Sequence, residues 1–207
     1  MTKEEKVKEV YKRLKPIYPH PRTALEYRNA FELLIATILS AQCTDKLVNT
    51  ITPGLFAKYS NPEQMAKADV EDIDEMIKKA TFHGNKAKNI KTASMQIIEK
   101  HAGNVPDTME DLDALPGVAR KTANVVLGDA FKKSEGIVVD THVIRAVGRL
   151  GLSDSDKPEK IEEDLVKIVP KEWWIEFPHL LILYGREYAP AKPKPGITDI
   201  LQDLYVK

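Results

Sequence analysis

Two short segments, LPGVARKTANVVL at 115–127 and VVDTHVIR at 138–145, contain residues whose types and spacing suit covalent chemistry beside a phosphate. In the first, Pro116–Gly117 predicts a tight turn, and a new helix is predicted to begin near Arg120. Gly117 can adopt the positive φ that such a turn needs. Backbone N–H groups at the start of a helix lack partners and suit a phosphate. The segment therefore predicts a phosphate-binding hairpin, with a plain helical connection as the alternative.

Lys121 falls in the first turn of the second predicted helix. The partial positive charge at a helix N-terminus disfavours the ammonium form, and Arg120 beside it adds to that effect. A neutral lysine amine is a nucleophile that can form a covalent intermediate. The alternative interpretation is a solvated lysine that contacts phosphate.

Asp140 follows the apolar run Ile137–Val139, the only strand-like segment of the chain, and precedes a predicted helix. An aspartate at that position is typical of an N-cap. Capping keeps the carboxylate ionised, and an ionised carboxylate can stabilise developing positive charge or accept a proton. Asp140 can serve both as a cap and in catalysis.

The composition limits the class of protein. A chain of 207 residues with 43% hydrophobic residues can form one domain or two small ones. The single cysteine, Cys43, excludes an internal disulfide and any metal site built from several thiolates. No apolar run approaches the ~18 residues of a membrane span. The charged first residues, MTKEEKVKEVYKRLKP, do not resemble a signal peptide, which predicts a cytoplasmic protein.

The charges are segregated although the net charge is zero, with 31 basic and 31 acidic residues. The segment from Lys78 to Lys100 is rich in lysine and contains the single acid Glu99, whereas acidic residues dominate 69–75. This pattern permits a basic face for a polyanion. An ordinary pair of solvated helices is the alternative.

The apolar periodicity is helical along most of the chain, and we predict an all-α protein of about ten helices. The segment from Phe31 to Leu39 is apolar nearly all round, which predicts a buried helix. One-sided apolar stripes over 90–98, 161–169 and 177–184 predict surface helices that bury one face.

Several motifs, taken together, resemble the endonuclease III-type DNA glycosylases of the helix-hairpin-helix superfamily. Besides the two segments named above, they are FELLIATILSAQCTD at 31–45, NKAKNI at 85–90 and LILYGR at 181–186. The pairing of LPGVARKTA with VDTH is the most specific of these features. The resemblance extends over nearly the whole chain.

The resemblance implies two helical domains on either side of a DNA-binding cleft. One is a six-helix domain over 23–133 that contains the hairpin at about 111–129. The other is discontinuous and combines the N-terminal helix, 1–22, with 134–207. Its tail, 186–207, stands where the family has an iron–sulfur loop.

The resemblance also implies a bifunctional enzyme of base excision repair, acting in the nucleoid on damaged double-stranded DNA. Such enzymes flip an oxidised pyrimidine out of the duplex. Lys121 would then attack C1′ and displace the base, and β-elimination from the resulting Schiff base would cleave abasic sites. Asp140 would assist. We expect a monomer, because the sequence has no dimerisation heptads.

The resemblance assigns DNA contacts to residues in four segments of the chain. These residues are Gln42, Phe82, His83, Gly84, Lys86, Leu115, Gly117, Val118, Ala119, Arg120, Thr122, Lys192 and Lys194. Gln42 matches a glutamine that fills the hole left by the flipped base, and Phe82 matches an apolar wedge. The alternatives are a helix-end amide bonded to backbone and a core aromatic residue. The expected substrate pocket contains Ser40, Asp113 and His142, with Ser40 as a supporting hydroxyl and His142 mainly structural. Asp113 is one methylene shorter than the family's usual glutamate.

The chain departs from the family at its C-terminus. Four cysteines usually hold a 4Fe–4S cluster there, and the corresponding positions are Ala189, Gly196, Asp199 and Tyr205. We therefore predict that the chain has no cluster and no other metal or cofactor. A short amphipathic helix is expected instead, which would bury Ile197, Ile200, Leu201 and Leu204 while Tyr205 fills the space of the cluster.

A second departure is Ala119, which replaces the second hairpin glycine of the family. If this position needs a positive φ, alanine costs roughly 1 kcal/mol.

Two alternatives to the predicted function stay open. One is a related glycosylase or lyase with another preference, for uracil, a mismatched base or abasic sites alone. The other is a non-catalytic hairpin module that only binds DNA.

Overall fold

The computed structural model describes residues 1–191, 196 and 198–206. Every regular element within them is a helix, and they comprise eleven α-helices and two short 3₁₀-helices. The prediction of an all-α protein is thereby confirmed, and Ile137–Val139 forms no strand. The chain divides into two compact units, Ala24–Lys133 and the combination of Met1–Thr23 with Ser134–Lys207. None of the described helices is both long enough and apolar enough to cross a membrane.

The unit Ala24–Lys133 is built around one helix that is buried on all sides. Its helices are α2 (Ala30–Ser40), α3 (Asp45–Lys58), α4 (Pro62–Lys67), α5 (Val70–Ile77), α6 (His83–His101), α7 (Met109–Asp113) and α8 (Arg120–Phe131). Helix α2 packs against α3, α6 and α8. All its residues from Phe31 to Leu39 are buried, as its apolar composition predicted.

Side chains that precede the helices fix where several of them begin. Asn29, Thr44, Asn61 and Thr108 each accept a hydrogen bond from a backbone N–H in the first turn of the helix that follows. Such caps satisfy donors that the helix itself leaves without partners. The predicted stripe on α6 is also present, because Ile90, Ala93 and Ile97 are buried on a helix that packs against α4 and α5.

The other unit joins the N-terminal helix to the C-terminal third of the chain. Its α-helices are α1 (Lys3–Leu14), α9 (Thr141–Leu150), α10 (Pro158–Ile168) and α11 (Glu176–Glu187), with 3₁₀-helices at Lys171–Trp173 and Gln202–Leu204. One face of α1 is fully buried at Val7, Val10 and Leu14. Tyr11 stacks on Trp173 with their ring centroids 4.0 Å apart. These contacts bury α1 in a core that α9, α10 and α11 complete.

The tail does not form the predicted amphipathic α-helix. Its described residues make a turn followed by the 3₁₀-helix Gln202–Leu204, and Ile197 lies outside the described residues. The physical reason is local, because the Asp199 carboxylate accepts a hydrogen bond from the Leu201 backbone N–H. A side chain bonded to its own backbone in this way competes with a regular helix. The apolar residues still behave as expected, with Leu201 0% and Leu204 6% exposed.

Two tyrosines and Asp199 hold this tail on α11. The Tyr184 hydroxyl donates to one carboxylate oxygen of Asp199 at 2.5 Å, and the Tyr205 hydroxyl donates to the other. The two hydroxyl oxygens are 2.7 Å apart. Burial and the Asp199 carboxylate raise the pKa of Tyr184 and of Tyr205, so both hydroxyls keep their protons near neutral pH. Thus Asp199 and Tyr205, at two of the family's cysteine positions, bond to each other and to α11.

We predict that Tyr205→Phe lowers the free energy of unfolding by about 1–3 kcal/mol, because it removes a hydrogen bond to a charged acceptor. Urea unfolding measures the change. Tyr188→Phe is the matched control, since Tyr188 stacks on Tyr184 but its hydroxyl has no hydrogen-bond partner among the described residues. Equal loss in the two variants would contradict the role of the Tyr184–Asp199–Tyr205 contact.

Candidate functional site

The hairpin between α7 and α8 is closed by a turn with buried ends. The Val118 backbone N–H donates to the Leu115 carbonyl at 3.1 Å. Leu115 is 3% and Val118 8% exposed, so their side chains anchor the turn from inside. Any contact that these two residues make with DNA must therefore come from their backbone.

Gly117 is constrained both by its backbone and by its neighbour. Its φ is +80°, and a Cβ added there would lie 3.0 Å from the Asn89 side-chain amide nitrogen on α6. A side chain at this position would therefore be strained, and the positive φ is the one that the turn was predicted to need. By contrast, Ala119 has φ −113° and ψ 167°, which is ordinary extended backbone. The cost considered for alanine at this position does not arise.

The first turn of α8 is left open to an anion. Ala119 is its N-cap and provides no side-chain hydrogen bond, and the first turn contains no acidic residue. Arg120 and Lys121 are exposed there, and Thr122 is half-buried. Exposed N–H groups and the positive end of the helix dipole favour a negative ligand such as phosphate. Lys121 thus lies at a helix end whose charge and lack of a side-chain cap would favour an anion.

Asp140 is the N-cap of α9 and is half-buried. One of its carboxylate oxygens, Oδ1, accepts from the backbone N–H groups of His142 at 2.8 Å and of Val143 at 2.9 Å. Its Oδ2 has no hydrogen-bond partner among the described residues, so one oxygen holds the residue in place while the second stays available for chemistry.

His142 is a packed residue on the first turn of α9. A Cβ at Gly185 would lie 3.1 Å from the His142 ring, which shows how closely α11 approaches it. Burial lowers the pKa of His142, and the charges of Arg145 and Arg186 lower it further. The neutral ring then accepts at Nδ1 from the Arg145 guanidinium, 3.0 Å away. This geometry fits the expected structural role.

Gln42 lies in a turn that directly follows α2. The turn is closed by the Cys43 backbone N–H, which donates to the Ser40 carbonyl at 3.0 Å. Ala41 has φ −57° and ψ 114°, and Gln42 has φ 56°. These angles are those of a type II turn, whose third residue is usually glycine or asparagine. Gln42 is exposed and is held in a conformation that costs a non-glycine residue about 1–3 kcal/mol.

Phe82 is the second exposed residue in a left-handed conformation. It precedes α6 with φ 53° and ψ 34°, and it is 63% exposed. The alternative of a core aromatic residue is therefore wrong. His83 follows it with Nδ1 2.6 Å from the Asp74 carboxylate, and Gly84 approaches the same carboxylate. Strained backbone of this kind is concentrated at functional sites, which is compatible with the expected role of Phe82.

Lys86 does not point into solvent. It is 6% exposed, and its ammonium donates to the carbonyls of Leu39 at 2.8 Å and Ala41 at 2.7 Å. These carbonyls lie at the C-terminal end of α2, where a cation is electrostatically favoured. This geometry argues against the expectation that Lys86 contacts DNA directly. Lys78 pairs with Glu75, which lowers the net positive charge of the predicted basic face.

The remaining predicted residues are dispersed. The Ser40 hydroxyl donates to the Thr37 carbonyl one turn earlier, so it stabilises the end of α2. Asp113 is exposed and is the last residue of α7. Lys192 and Lys194 lie outside the described residues.

The site residues are distributed between the two units. The hairpin, Gln42 and Phe82 belong to Ala24–Lys133, and Asp140 and His142 belong to the other unit. Three residues near these sites were not predicted from the sequence. Thr81 contacts the Gln42 turn, Cys43 contacts Thr81, and the Asn89 side chain lies beside Gly117 of the hairpin. No sequence signal identifies Thr81, because it meets Cys43 across a separation of 38 residues.

Curated relatives share most of the chain. It is 46% identical over 191 residues to endonuclease III of Synechocystis sp., which covers 92% of this chain and 87% of the relative. It is 42% identical over 197 residues to endonuclease III of Escherichia coli K12, covering 95% of this chain and 92% of the relative.

Solved structures show the same fold. A non-covalent endonuclease III–DNA complex matches with a TM-score of 0.90 and 39% identity, covering 99% of this chain and 96% of the other. A trapped endonuclease III–DNA covalent intermediate matches with a TM-score of 0.89 and 38% identity over the same shares of the two chains. A thermostable thymine-DNA glycosylase, at 23% identity and a TM-score of 0.84, shares the fold.

The family model for HhH-GPD superfamily base excision DNA repair proteins matches residues 35–171. That range includes the hairpin, Lys121, Asp140 and the Gln42 and Phe82 loops. The cluster cysteines of endonuclease III are absent, since Cys43 is the only cysteine. Together with the curated relatives, this match shows that the chain belongs to the HhH-GPD superfamily of base excision DNA repair proteins, among its DNA glycosylase/abasic-site lyases of the endonuclease III type.

Proposed function

We propose that the chain removes oxidised pyrimidines from double-stranded DNA and cleaves abasic sites through a Schiff base on Lys121. The observation that carries the proposal is the exposed Lys121 amine in the first turn of α8, at a helix end without a side-chain cap. A DNA phosphate bound by the hairpin N–H groups would fix the strand beside this amine. A relative has been captured as a covalent endonuclease III–DNA intermediate, which supports covalent chemistry here.

The proposed reaction proceeds in two stages at the same sugar. The neutral Lys121 amine attacks C1′, and the bond from C1′ to the base breaks as the base leaves with the electron pair. The C1′–O4′ bond then breaks, O4′ takes its electron pair and a proton to become a hydroxyl, and a Schiff base is left between Lys121 Nζ and C1′. Loss of a proton from C2′ then breaks the C3′–O bond, and the phosphate departs. Water hydrolyses the Schiff base and restores the lysine.

Asp140 supplies the charge that these steps need. Its ionised carboxylate can stabilise the positive charge that develops at C1′ and can accept the proton that the attacking amine loses. Because Oδ1 is held by the backbone of α9, the carboxylate has one orientation rather than several. We propose Oδ2 as the atom that acts.

The DNA contacts divide into those that position the strand and those that open it. We propose that Arg120, Thr122 and the hairpin N–H groups bind phosphate, which carries no sequence information. Gln42 would fill the space that the flipped base leaves, and Phe82 would wedge into the duplex. Asp113, exposed at the end of α7, is the proposed contact to the flipped base. We propose that the enzyme acts as a monomer in the nucleoid.

We also propose that the protein functions without an iron–sulfur cluster. The four positions in question do not fit a 4Fe–4S cluster, because none provides a thiolate. Ala189 is 2% exposed and packs in the core, and the Asp199 carboxylate is occupied by hydroxyl donors. No set of three histidine, cysteine or acidic side chains suited to a metal occurs among the described residues.

The first experiment is borohydride trapping on a duplex with one thymine glycol and on a duplex with one abasic site. We predict that wild type forms an adduct on both and that Lys121→Ala forms none, because only the lysine amine can make the reducible Schiff base. Lys12→Ala, an exposed lysine on α1, should behave as wild type. An adduct on the abasic duplex alone would indicate a lyase or another base preference, and none on either would favour a DNA-binding module.

We predict that Asp140→Asn lowers the single-turnover rate of base excision by about 10²–10⁴-fold, the usual contribution of a catalytic acid or base. Asparagine caps a helix as well as aspartate does, so the free energy of unfolding should hardly change. Asp140→Ala removes both functions and should also destabilise the protein by ~1 kcal/mol. A full excision rate in Asp140→Asn would show that the charge of Asp140 is dispensable.

The purified protein should contain no stoichiometric iron and should show no visible absorption band of a cluster. Expression with added iron and purification without oxygen make the test fair, since a labile cluster would then survive. Iron bound in proportion to protein, together with such a band, would mean that ligands other than the four substituted positions hold a cluster.

A further inference from the structure

Four described residues other than glycine have a positive φ: Gln42, Phe82, Ala102 and Lys132. Ala102 and Lys132 directly end α6 and α8, where this conformation is common. Gln42 and Phe82 are different, because neither is the C-cap of a helix and both are proposed to enter DNA. Backbone strain at exposed residues persists only where the surrounding structure enforces it.

Thr81, which directly precedes Phe82, holds the Gln42 turn in its strained conformation. Its hydroxyl donates to the Gln42 carbonyl at 3.0 Å, and its backbone N–H donates to the Cys43 sulfur at 3.3 Å. The same hydroxyl lies 3.2 Å from that sulfur. Thr81 therefore holds the Gln42 turn through two atoms of the turn, while its own peptide bond continues into Phe82.

Lys86, in the first turn of α6, makes a second link to the end of α2. Its ammonium bonds the carbonyls of Leu39 and Ala41 at the end of α2, and it lies 3.5 Å from the Cys43 sulfur. Lys86 is only 6% exposed, so water competes little for these charge-assisted bonds. The end of α2 and the start of α6, which carry Gln42 and Phe82, are thus tied together by one buried cation.

The Cys43 thiol is part of the same connection. Burial acts to raise the pKa of Cys43, but the hydrogen bonds from Thr81 and the Lys86 charge outweigh burial and leave this pKa below its ordinary value. The sulfur accepts a hydrogen bond from the Thr81 backbone N–H. Thr81, Cys43 and Lys86 therefore form one hydrogen-bonded cluster, which we call the bridge.

We propose that the bridge residues Thr81, Cys43 and Lys86 are positioning residues that hold Gln42 and Phe82 as one rigid element for opening the DNA duplex at a lesion. The inference rests on the proposed function of Gln42 and Phe82. Two side chains that enter a duplex together must keep a fixed separation, and ordering them separately at that moment would oppose binding. A bridge made before DNA arrives removes that cost.

Thr81→Val tests the proposal, because valine keeps the shape of threonine and removes the hydroxyl donor. Two substrates separate duplex opening from chemistry: a duplex with one thymine glycol, and a single-stranded oligonucleotide with one abasic site. We expect Thr81→Val to excise the base from the duplex about tenfold more slowly, since small displacements of positioning groups have effects of this size or larger. Cleavage of the single strand should stay within about twofold of wild type.

Two variants control for a merely structural effect. Thr81→Ser retains the hydroxyl and should restore most of the duplex rate. Thr92→Val, on the exposed face of α6, removes a hydroxyl that donates only to Lys88 in its own helix, and it should match wild type on both substrates. Thermal unfolding of all variants shows that they are folded at the assay temperature.

A spectroscopic readout follows opening itself. 2-Aminopurine placed opposite the lesion brightens when it loses stacking, and this signal should be weaker or slower in Thr81→Val than in wild type. Equal signals and equal duplex rates in Thr81→Val and wild type would overturn the proposal, as would an equal loss on both substrates. If wild type opens the duplex but forms no covalent adduct, the lysine chemistry fails while the bridge is still tested by the fluorescence.

Discussion

The ammonium of Lys86 is the contact on which much of the unit Ala24–Lys133 depends. It is a buried cation that pairs with no carboxylate among the described residues, and the carbonyls at the end of α2 satisfy it instead. Helix α2 in turn packs against α8, whose first turn carries Lys121. A buried ammonium without these acceptors would be costly, so the position of the α2 end and that of α6 are set together.

The N-termini of two helices each favour a negative group, but the group comes from a different source in each case. The N-terminus of α9 is already satisfied by the Asp140 carboxylate, whereas that of α8 has no side-chain cap and no acid in its first turn. The first helix end therefore holds an ionised protein group, and the second can receive an anion from outside. In the proposed reaction, one end stabilises a carboxylate of the enzyme and the other a phosphate of the substrate.

Much of this arrangement follows from local sequence. The apolar run at 31–39 predicted the buried helix, and Pro116–Gly117 predicted the hairpin turn, because both depend on residues close together in the chain. The environment of Lys86 could not be predicted in this way. A lysine in a segment rich in lysine suggests a solvated face, and its acceptors lie 45 and 47 residues away. The tail helix was predicted wrongly because periodicity takes no account of a carboxylate that bonds its own backbone.

The contact of Asp199 with Tyr184 and Tyr205 affects how the C-terminal segment folds. A fold that is closed by inorganic sulfide and iron has to wait for a delivery from other proteins, and oxygen can undo it afterwards. Hydroxyl and carboxylate groups arrive with the polypeptide itself. The contacts that Asp199 makes with Tyr184 and Tyr205 can therefore form at a pace set by folding alone.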